Sequence, residues 1–490
     1  MNNLLNNFTY QKIYLVQLIL LLLIVSQLQA QQPNILFIAA DDLNCDISPY
    51  GVSQVKTPNL ERLAKMSMQF NNAYCQQPLC GPSRASLMTG MRPNTIGSFT
   101  LSDKLRRRKP DVVTLGQFFK EAGYYSGRVG KIYHYGNPKD IGTNGHDDER
   151  TWTERFNPAG IDKIREDEII SYGNNTKAGN RQLGISMAWW NPESEDEEHT
   201  DGMVASKAIE MIEAHKEEPF FIAAGFFNPH CPYVAPKKYF DLYDIDKIEM
   251  QDLKKAKAAL EDVPEMATMR DTKAWPYYFD GVTVEEAKQC KLAYYASISF
   301  VDAQIGRLLD TLEENNLMEN TIVVFWSDHG YFLGEKGLWY KRKAFERSAR
   351  VPLFVKVPKG PEGVSCNKPV ELIDLYPTLV DYSGFSISKD LEGKSLRLLL
   401  ENPKAKWKDY AITQVHYNVD AQGYSIRNEK WRYTERNKGK AGRELYNHEN
   451  DPEEITNLAK NPRYSNLIDS LSHKLQVYSD TYKPNSKKKK

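Results

Sequence analysis

Two polar clusters each follow a short apolar run, and their side chains are of the kinds that bind ions and carry protons. Asp41 and Asp42 come directly after one run, and Asp328 and His329 come directly after another. Both runs have the character of a buried strand. In an open α/β sheet, ligands bind beyond the carboxyl ends of the strands. We therefore expect the two clusters to meet at one edge of a sheet, despite their wide separation along the chain.

A further group of reactive residues lies in the segment 80–90, whose sequence is CGPSRASLMTG. Pro82 favours the start of a helix. Cys80 is therefore expected near a helix N-terminus, where backbone N–H groups favour anions. Arg84 follows Cys80 by four residues, which is one helical turn, so its guanidinium can return to the side chain of residue 80. The segment predicts a cysteine and an arginine beside an anion-binding helix end.

The elements that must position these residues alternate between strand and helix along the chain. Apolar runs without alternation indicate strands buried on both faces, and runs with a period near 3.6 indicate helices. Strands are predicted at 34–40, 219–227 and 321–326, and helices starting at Thr57 and Thr114 and covering 203–215 and 286–315. This order predicts an α/β fold built on a parallel sheet.

The pattern changes beyond about residue 402. Short alternating runs and a final helical stretch follow, at 411–415, 424–427, 431–434 and 465–478. We predict a main domain over 31–402 and a small antiparallel sheet with one helix over 403–483. Residues 138–200 and 235–285 are polar, rich in Pro and Gly and weakly periodic, so we expect long loops over the sheet.

Composition excludes several classes of protein. The 64 Lys and Arg residues balance 64 Asp and Glu residues, which argues against a broad basic face that coats nucleic acid or an anionic membrane. Hydrophobic residues make up 41% of the chain, enough to bury a full core, so general disorder is excluded. The six cysteines are scattered and include no CxxC pair, which argues against a disulfide scaffold.

The two ends of the chain predict its compartment. The apolar run 13–25 is shorter than the roughly 20 residues of a membrane span. Lys12 precedes this run and a small residue, Ala30, follows it, so residues 1–30 have the features of a secretory signal peptide. We expect a secreted or periplasmic protein with no stable membrane partner; the alternative is an uncleaved N-terminal anchor. Residues 484–490 are predicted to form a basic, disordered tail.

The segment 80–90 resembles the signature of the sulfatase family, C-x-P-S-R followed within a few residues by T-G. Other family-like segments occur in the same order: ILFIAADD at 35–42, TPNLERLA at 57–64, GKIYH at 130–134, NPH at 228–230, SDHG at 327–330, GEKGLWYK at 334–341 and DPEEITNLA at 451–459. The resemblance covers nearly all of the chain after residue 30 and is strongest to the iduronate-type sulfatases. It implies a sulfuric ester hydrolase with an alkaline-phosphatase-like α/β/α sandwich and a smaller C-terminal subdomain.

The resemblance also implies one bound divalent cation, Ca²⁺ with Mg²⁺ as the alternative. The family's ligands correspond to Asp41, Asp42, residue 80, Asp328 and His329. Carboxylates suit Ca²⁺, which takes six to eight oxygen ligands at about 2.3–2.6 Å. Many sulfatases have Asn where this chain has His329. Because nitrogen is a poorer partner for Ca²⁺, the sequence leaves the identity of the metal open.

Cys80 matches the residue that the family oxidises to formylglycine, or 3-oxoalanine, which implies a maturing enzyme as a partner. The hydrated aldehyde would attack sulfur with one oxygen, and elimination through the second would release sulfate. Arg84 is implied at the aldehyde hydrate.

The resemblance assigns the remaining catalytic roles to two pairs of residues. Lys131 and His134 match the pair that holds sulfate and takes a proton during elimination, and His230 and Lys341 match the pair at the leaving group. On a strand, the spacing of Lys131 and His134 would direct their side chains to opposite faces. A strand end or turn near Gly130 is therefore required.

The implied substrate is a sulfated polysaccharide or its oligosaccharides, and no nucleic acid. Trp339 and Arg427 are the candidate substrate contacts, the tryptophan because a flat amphipathic ring can stack on a sugar. Two other functions remain open. A phosphoesterase of the same superfamily would carry Thr or Ser as nucleophile and two zinc ions. A catalytically silent glycan-binding protein would have lost a nucleophile or a metal ligand.

Overall fold

The structure, a computed structural model, describes residues 32–172, 183–268, 282–416 and 422–483. The predicted signal peptide at 1–30 and the predicted basic tail at 484–490 lie outside these residues. No helix within the described ranges has the length and apolar character needed to cross a membrane.

The strands are numbered in chain order. They are β1 (Asn34–Ala40), β2 (Met68–Phe70), β3 (Ala73–Tyr74), β4 (Tyr125–Gly130), β5 (Glu154–Phe156), β6 (Ile170–Tyr172), β7 (Met187–Trp190), β8 (Phe220–Phe226), β9 (Tyr233–Val234), β10 (Thr321–Ser327), β11 (Phe332–Leu333), β12 (Trp339–Tyr340), β13 (Arg350–Val351), β14 (Leu353–Lys356), β15 (Val364–Cys366), β16 (Val370–Glu371), β17 (Ala411–His416), β18 (Gln422–Arg427), β19 (Trp431–Arg436) and β20 (Arg443–Asn447).

The α-helices are numbered in the same way. They are α1 (Pro58–Lys65), α2 (Cys80–Thr89), α3 (Pro93–Ile96), α4 (Leu105–Arg108), α5 (Leu115–Glu121), α6 (Ile161–Ile164), α7 (Thr200–Ala214), α8 (Lys237–Phe240), α9 (Leu253–Ala258), α10 (Glu265–Thr268), α11 (Val284–Glu314), α12 (Glu346–Ala349), α13 (Leu375–Tyr382), α14 (Arg397–Glu401) and α15 (Ser465–Thr481).

The central sheet has the strand order β15-β2-β14-β10-β1-β8-β4-β5. Its middle strands β10, β1, β8 and β4 run parallel, as predicted. The sheet as a whole is mixed, which corrects the expectation of a parallel sheet: β14 is antiparallel to both β10 and β2. Short outer strands of three or four residues gave too few positions for a pattern to reveal their direction.

Helices cover both faces of this sheet, which confirms the predicted sandwich. Alternate residues of β1 belong to different cores: Leu36 and Ile38 face one, and Ile35 and Phe37 face the other. The first core also contains residues of α7 and α11, and the second contains residues of α2, α5 and α13. Because both faces of β1 are buried, successive side chains from residue 35 to residue 40 are all apolar, which accounts for the continuous apolar run.

The C-terminal part is an antiparallel sheet, β17-β18-β19-β20, with α15 packed against it. Ile426 and Tyr433 of the sheet meet Leu471 and Leu475 of the helix in a separate small core. The antiparallel sheet with one helix is therefore confirmed, although β20 was not predicted. The division at residues 402 and 403 stays a prediction.

The two segments expected to be long loops contain regular elements. β5 extends the central sheet, and β6, β7 and β9 form a separate three-stranded sheet. Short helices, among them α6, α8 and α9, occupy much of the remaining chain. Elements of two to six residues span too few turns or pleats for periodicity to predict them.

Candidate active site

The register of the central sheet brings its reactive residues to one edge. Ala40 at the end of β1 lies opposite Ser327 at the end of β10, so Asp41 and Asp328 leave the sheet side by side. The backbone N–H of Asp42 donates to a carboxylate oxygen of Asp328 at 3.1 Å. The predicted meeting of the two clusters is therefore observed.

Cys80 is the first residue of α2, so the helix begins two residues before Pro82. Its thiol is buried, and Sγ lies 3.3 Å from Nε2 of His329 and 3.4 Å from Nζ of Lys341. Asp42 Oδ1 is 3.9 Å from Sγ. Burial would raise the pKa of the Cys80 thiol, but the nearby cationic groups, Lys341 foremost, together lower it. A thiol placed here has access to a basic, anion-stabilising environment.

The guanidinium of Arg84 joins three strand ends. It is fully buried and donates to Asp328 Oδ2 at 2.9 Å and to Asp41 Oδ1 at 2.8 Å. It also donates to the backbone carbonyls of Lys131 at 2.7 Å and Ile132 at 3.0 Å. The sequence placed Arg84 at the side chain of residue 80; in the structure its donors are directed at the carboxylates and at the end of β4. Arg84 therefore fixes the positions of Asp41 and Asp328.

Metal-ligating atoms converge on this cluster in two overlapping groups, each within 4.8 Å, which share Asp42 and Cys80. Asp41 and His230 complete one group, and Asp328 and His329 complete the other. Burial raises the pKa of Asp42 to about 7, against the lowering effect of Lys341. Arg84, Lys131 and Lys341 pair with the three carboxylates, so the cluster is close to neutral in formal charge. Its carboxylate oxygens are ligands that suit a hard divalent cation.

His329 is oriented for ligation through Nε2. Its Nδ1 lies 3.0 Å from the carbonyl oxygen of Gly330, which can only accept, so Nδ1 carries the proton. Nε2 faces Asp42 Oδ1, at 3.4 Å, and Asp328 Oδ2, at 3.5 Å, the oxygens with which it would share a bound cation. Burial would lower the pKa of His329, but the surrounding anionic groups, Asp328 foremost, raise it to about 9. A backbone carbonyl that fixes the tautomer is a common feature of metal-ligating histidines.

Asp42 has a left-handed backbone conformation, with φ of 62°. Such a conformation costs free energy and persists where the surroundings hold it. Tyr294 of α11 supplies part of that hold, because its hydroxyl donates to the carbonyl of Asp42 at 2.8 Å and accepts from the N–H of Asn44 at 2.9 Å. Sequence analysis did not identify Tyr294, and no local pattern reveals a contact across 252 positions.

Lys341 and His230 both approach the carboxylate of Asp42. Lys341 donates to both oxygens of Asp42, at 2.5 and 2.7 Å, and sits between two left-handed residues, Tyr340 with φ of 73° and Arg342 with φ of 70°. His230 Nε2 lies 3.6 Å from Asp42 Oδ2, and its Nδ1 contacts the carbonyl of Cys231 at 2.5 Å. Burial and the Lys341 charge hold the pKa of His230 well below its usual range.

The turn required between Lys131 and His134 is present. β4 ends at Gly130 with φ of 70°, where a Cβ atom would lie 2.2 Å from the carbonyl oxygen of Gly225. The Lys131 ammonium then pairs with Asp41. His134 is half-buried, and burial, reinforced by the Lys131 charge, lowers its pKa well below the usual value.

The two candidate substrate contacts are not part of this cluster. Trp339 is 4% exposed, packs in the core and donates from Nε1 to the hydroxyl of Tyr233 at 3.1 Å. Arg427 is also 4% exposed and pairs with Glu346 at 3.3 Å. The proposed sugar contacts of both residues stay predictions. Aromatic and arginine side chains fit a core or a sugar site equally well, so sequence alone did not separate the two.

Comparisons with known proteins agree with this geometry. Residues 33–385 match the sulfatase family, and residues 334–481 match the C-terminal region of N-sulphoglucosamine sulphohydrolase. A sulfatase of Formosa agariphila is 34% identical over 93% of this chain and 89% of its own length. Human iduronate 2-sulfatase is 30% identical over 72% of this chain and 69% of its own length.

Solved structures share the same fold. A protein in complex with its substrate D-glucosamine-2-N,6-O-disulfate has a TM-score of 0.71 at 22% identity, over 94% of this chain and 100% of that chain. A phosphonate monoester hydrolase from Silicibacter pomeroyi has a TM-score of 0.75 at 21% identity, over 93% and 96%. Because the sulfatase match spans most of the sequence and includes the whole buried cluster, the chain belongs to the sulfatase family.

Proposed function

We propose that this sulfatase removes O-sulfate groups from the sugars of a sulfated polysaccharide or its oligosaccharides, with formylglycine at position 80 and one divalent cation, Ca²⁺ or Mg²⁺. The observation that carries the proposal is the position of Cys80. Its side chain lies at a helix N-terminus between His329 and Lys341, and directly beside Asp42. A nucleophile at this point faces both cationic groups and metal-ligating carboxylates.

A bound divalent cation and a formylglycine side chain would supply part of the chemistry. A divalent cation, held by Asp41, Asp42, Asp328 and His329, would act as a Lewis acid on the negative charge of the sulfate ester. Formylglycine, formed from Cys80 by a maturing enzyme, would supply a hydrated aldehyde as the nucleophile. The residues present fit both groups, since the donors are buried, oxygen-rich and clustered around the Cys80 side chain.

The chain's own residues would then bind and orient the ester and move protons. Arg84 holds Asp41 and Asp328 in place through its buried hydrogen bonds. Lys131 and Lys341 present ammonium groups to the sulfate oxygens, which reduces the repulsion between an anionic ester and its attacker. His230 is assigned to the leaving oxygen through Nε2; because its pKa is held well below the usual range, it must first take up a proton, which an anionic ester bound beside it would favour.

His134 completes the set as the base for the step that regenerates the aldehyde. Its pKa is held well below the usual value, so the imidazole is neutral and able to accept a proton. This arrangement gives the acid and base roles to separate histidines.

Sulfated saccharides are the substrate class that the relatives favour. Iduronate 2-sulfatases of mouse and human are both 30% identical to this chain. A structural neighbour was solved with a disulfated glucosamine as its substrate. A choline-sulfatase at 31% identity marks the alternative of a small sulfate ester. Secretion or export to the periplasm is consistent with a polymeric substrate and with the apolar run at 13–25.

A substrate panel tests the proposal. The matured protein, with its aldehyde verified by mass spectrometry, is assayed with sulfated disaccharides, choline sulfate, an aryl sulfate and a phosphonate monoester. We expect the highest kcat/KM with a sulfated disaccharide, and no release by the Cys80→Ala variant. A preference for the phosphonate that persists with unmodified Cys80 would replace the proposal with a phosphoesterase function. If Cys80→Ala retained all measurable function, the protein would instead be a catalytically silent glycan-binding protein.

A further inference from the structure

The carboxylate of Asp201 is buried at the start of α7, beside the end of β8. Asp201 is the second residue of that helix and is 1% exposed. Within the described parts of the chain, no cationic side chain pairs with it. Burial raises the pKa of Asp201 to about 7, although hydrogen bonds from N–H groups act in the opposite direction. A buried carboxylate without a cation is costly unless hydrogen bonds offset its loss of hydration, so its bonding partners indicate what it holds.

Both oxygens of this carboxylate accept hydrogen bonds from the chain that leaves β8. Oδ1 accepts from the N–H of Phe227 at 2.7 Å, and Oδ2 accepts from the N–H of Asn228 at 2.9 Å. Hydrogen bonds to an ionised carboxylate are stronger than those between neutral groups. Because the N–H groups of two consecutive residues are held by one side chain, the path of the chain beyond β8 is fixed.

The turn held in this way carries His230. The N–H of His230 donates to the carbonyl of Phe227 at 3.1 Å, so the turn closes on a residue that Asp201 holds. Nδ1 of His230 lies 2.5 Å from the carbonyl oxygen of Cys231, which can only accept, so Nδ1 carries the proton. Nε2 faces Asp42 Oδ2 at 3.6 Å. The direction of Nε2 therefore depends on the geometry of the turn.

We propose that Asp201 is a positioning residue that holds the imidazole of His230 in place for protonation of the leaving oxygen. The inference rests on the proposed function, which assigns His230 to that oxygen, and deepens it. Asp201 would act through His230, since its hydrogen bonds reach the backbone of the turn. Loss of Asp201 should therefore cost no more catalysis than loss of His230 itself.

Asp302 of α11 is a matched control. It is 2% exposed and accepts from the N–H groups of Asn59 at 3.0 Å and Leu60 at 2.7 Å. Burial raises the pKa of Asp302 to about 7, as it does for Asp201. The bonds of Asp302 hold the start of α1 instead of the turn of His230. In an Asp→Asn variant at either site, an NH₂ group replaces one acceptor oxygen and faces an N–H donor.

The kinetic experiment compares matured wild type, Asp201→Asn, Asp201→Ala and Asp302→Asn at a pH above 7, where both carboxyls are mainly ionised. With a sulfated disaccharide we expect kcat to fall about tenfold in Asp201→Asn and up to about a hundredfold in Asp201→Ala, because a small misplacement of a catalytic group is costly. An aryl sulfate needs little protonation of its leaving group and should lose much less. Asp302→Asn should keep the wild-type ratio of the two kcat values. Equal losses for both substrates in the Asp201 variants would overturn the proposal.

A double-mutant cycle tests whether Asp201 acts through His230. Two residues that serve one role are not additive, so Asp201→Asn should cause no further loss of kcat in the His230→Ala background. A further loss of about tenfold in that background would show that Asp201 acts independently of His230, and would overturn the proposal.

A spectroscopic arm keeps the test independent of turnover. NMR of protein labelled with ¹⁵N-histidine reports the imidazole of His230, whose signals are assigned by their absence in His230→Ala. We expect these signals to shift or broaden in Asp201→Asn and to stay unchanged in Asp302→Asn. If the wild type releases no sulfate from any saccharide, the proposed function fails, and the NMR comparison still decides whether Asp201 holds His230. Unchanged His230 signals in Asp201→Asn would overturn the inference, even if Asp201→Ala does not fold.

Discussion

The hydroxyl of Tyr294 donates a hydrogen bond of 2.8 Å to the backbone carbonyl of Asp42. Through it, the long helix α11 holds Asp42, a proposed metal ligand, in a left-handed conformation that a non-glycine residue rarely adopts. The same hydroxyl accepts from the N–H of Asn44, so both sides of the turn are fixed by one side chain. The position of the Asp42 carboxylate therefore depends on a tyrosine whose hydroxyl is bonded to the backbone of that turn.

Replacing Tyr294 by Phe should weaken cation binding, because the turn at Asp42 loses both hydrogen bonds. We expect a loss in Ca²⁺ affinity of about tenfold, typical of residues that orient metal ligands, measured by calorimetry. Tyr233→Phe is the matched control, since it removes a buried hydroxyl that bonds Tyr331 and Trp339 instead. Equal losses in the two variants would show that general loosening, rather than the Asp42 contact, is responsible.

Arg84→Lys should destabilise the protein although it keeps the charge. A lysine cannot donate to Asp41, Asp328 and two carbonyls at once, so buried oxygens lose their partners. We expect the free energy of unfolding in urea to fall by about 3 kcal/mol. The control Arg62→Lys, at a partly exposed pair with Asp310, should change it by less than about 0.5 kcal/mol. A small effect at Arg84 would contradict its structural role.

Removal of the cation should lower thermal stability. Ca²⁺ at about 100 times its Kd is expected to add about 2.7 kcal/mol to the free energy of unfolding. Differential scanning fluorimetry with and without chelator measures the corresponding rise in Tm. The Ca²⁺-dependent rise should disappear in Asp328→Asn and persist in Asp310→Asn, which lies on the exposed face of α11. A rise that survives in Asp328→Asn would place the cation elsewhere.

Loss of His230 should affect substrates according to their leaving groups. Without a proton donor, a sugar alkoxide leaves poorly, so kcat for a sulfated saccharide should fall about a hundredfold in His230→Ala. An aryl sulfate, whose phenolate leaves readily, should lose much less. His473→Ala, at an exposed histidine of α15, serves as the control. A similar loss of kcat for both substrate types would show that His230 does not protonate the leaving group.

The junction between the C-terminal sheet and the main domain should be acid-sensitive. The Glu371 carboxylate accepts hydrogen bonds from Arg92 at 2.8 Å, from Lys408 at 2.7 Å and from the N–H of Ile412 in β17 at 3.1 Å. Burial would raise the pKa of Glu371, but Arg92 and Lys408 outweigh it and hold the pKa well below the ordinary value of 4.5. A depressed carboxyl pKa stabilises the fold above pH 4.5, and that contribution is lost as the pH falls below it.

Glu371→Gln should therefore reduce the free energy of unfolding by about 3 kcal/mol at pH 7, with the difference from wild type narrowing as the pH falls below 4.5. Urea titrations at a series of pH values measure this, with the exposed Glu213→Gln as control. A difference that is constant with pH would assign the effect to packing instead of charge.

Sequence predicted the parts of the site that depend on strand ends. Asp41 and Asp328 were predictable neighbours because both follow strands of an open sheet, and ligands bind beyond the carboxyl ends of such strands. The turn at Gly130 was predictable because a strand cannot direct Lys131 and His134 to one side.

The remaining contacts depend on long-range packing, which one sequence does not encode in any local pattern. Arg84 was assigned to residue 80 by helical spacing, but its hydrogen-bond partners lie just beyond the ends of three strands. Trp339 is predicted to contact a sugar, and the hydrogen bond from its ring to Tyr233 was not predictable from the sequence. Tyr294 showed no signal, since a tyrosine on a buried helix is ordinarily a core residue.

The most direct test of the central claim measures sulfate release against the fraction of chains that carry the aldehyde at position 80. That fraction is varied by expression with different amounts of a maturing enzyme and determined by mass spectrometry of the peptide that contains residue 80. If formylglycine at this position is the nucleophile, kcat per chain should rise in proportion to the fraction and extrapolate to zero for unmodified Cys80. A rate that is independent of the fraction, or a substantial rate at zero aldehyde, would contradict the proposed mechanism.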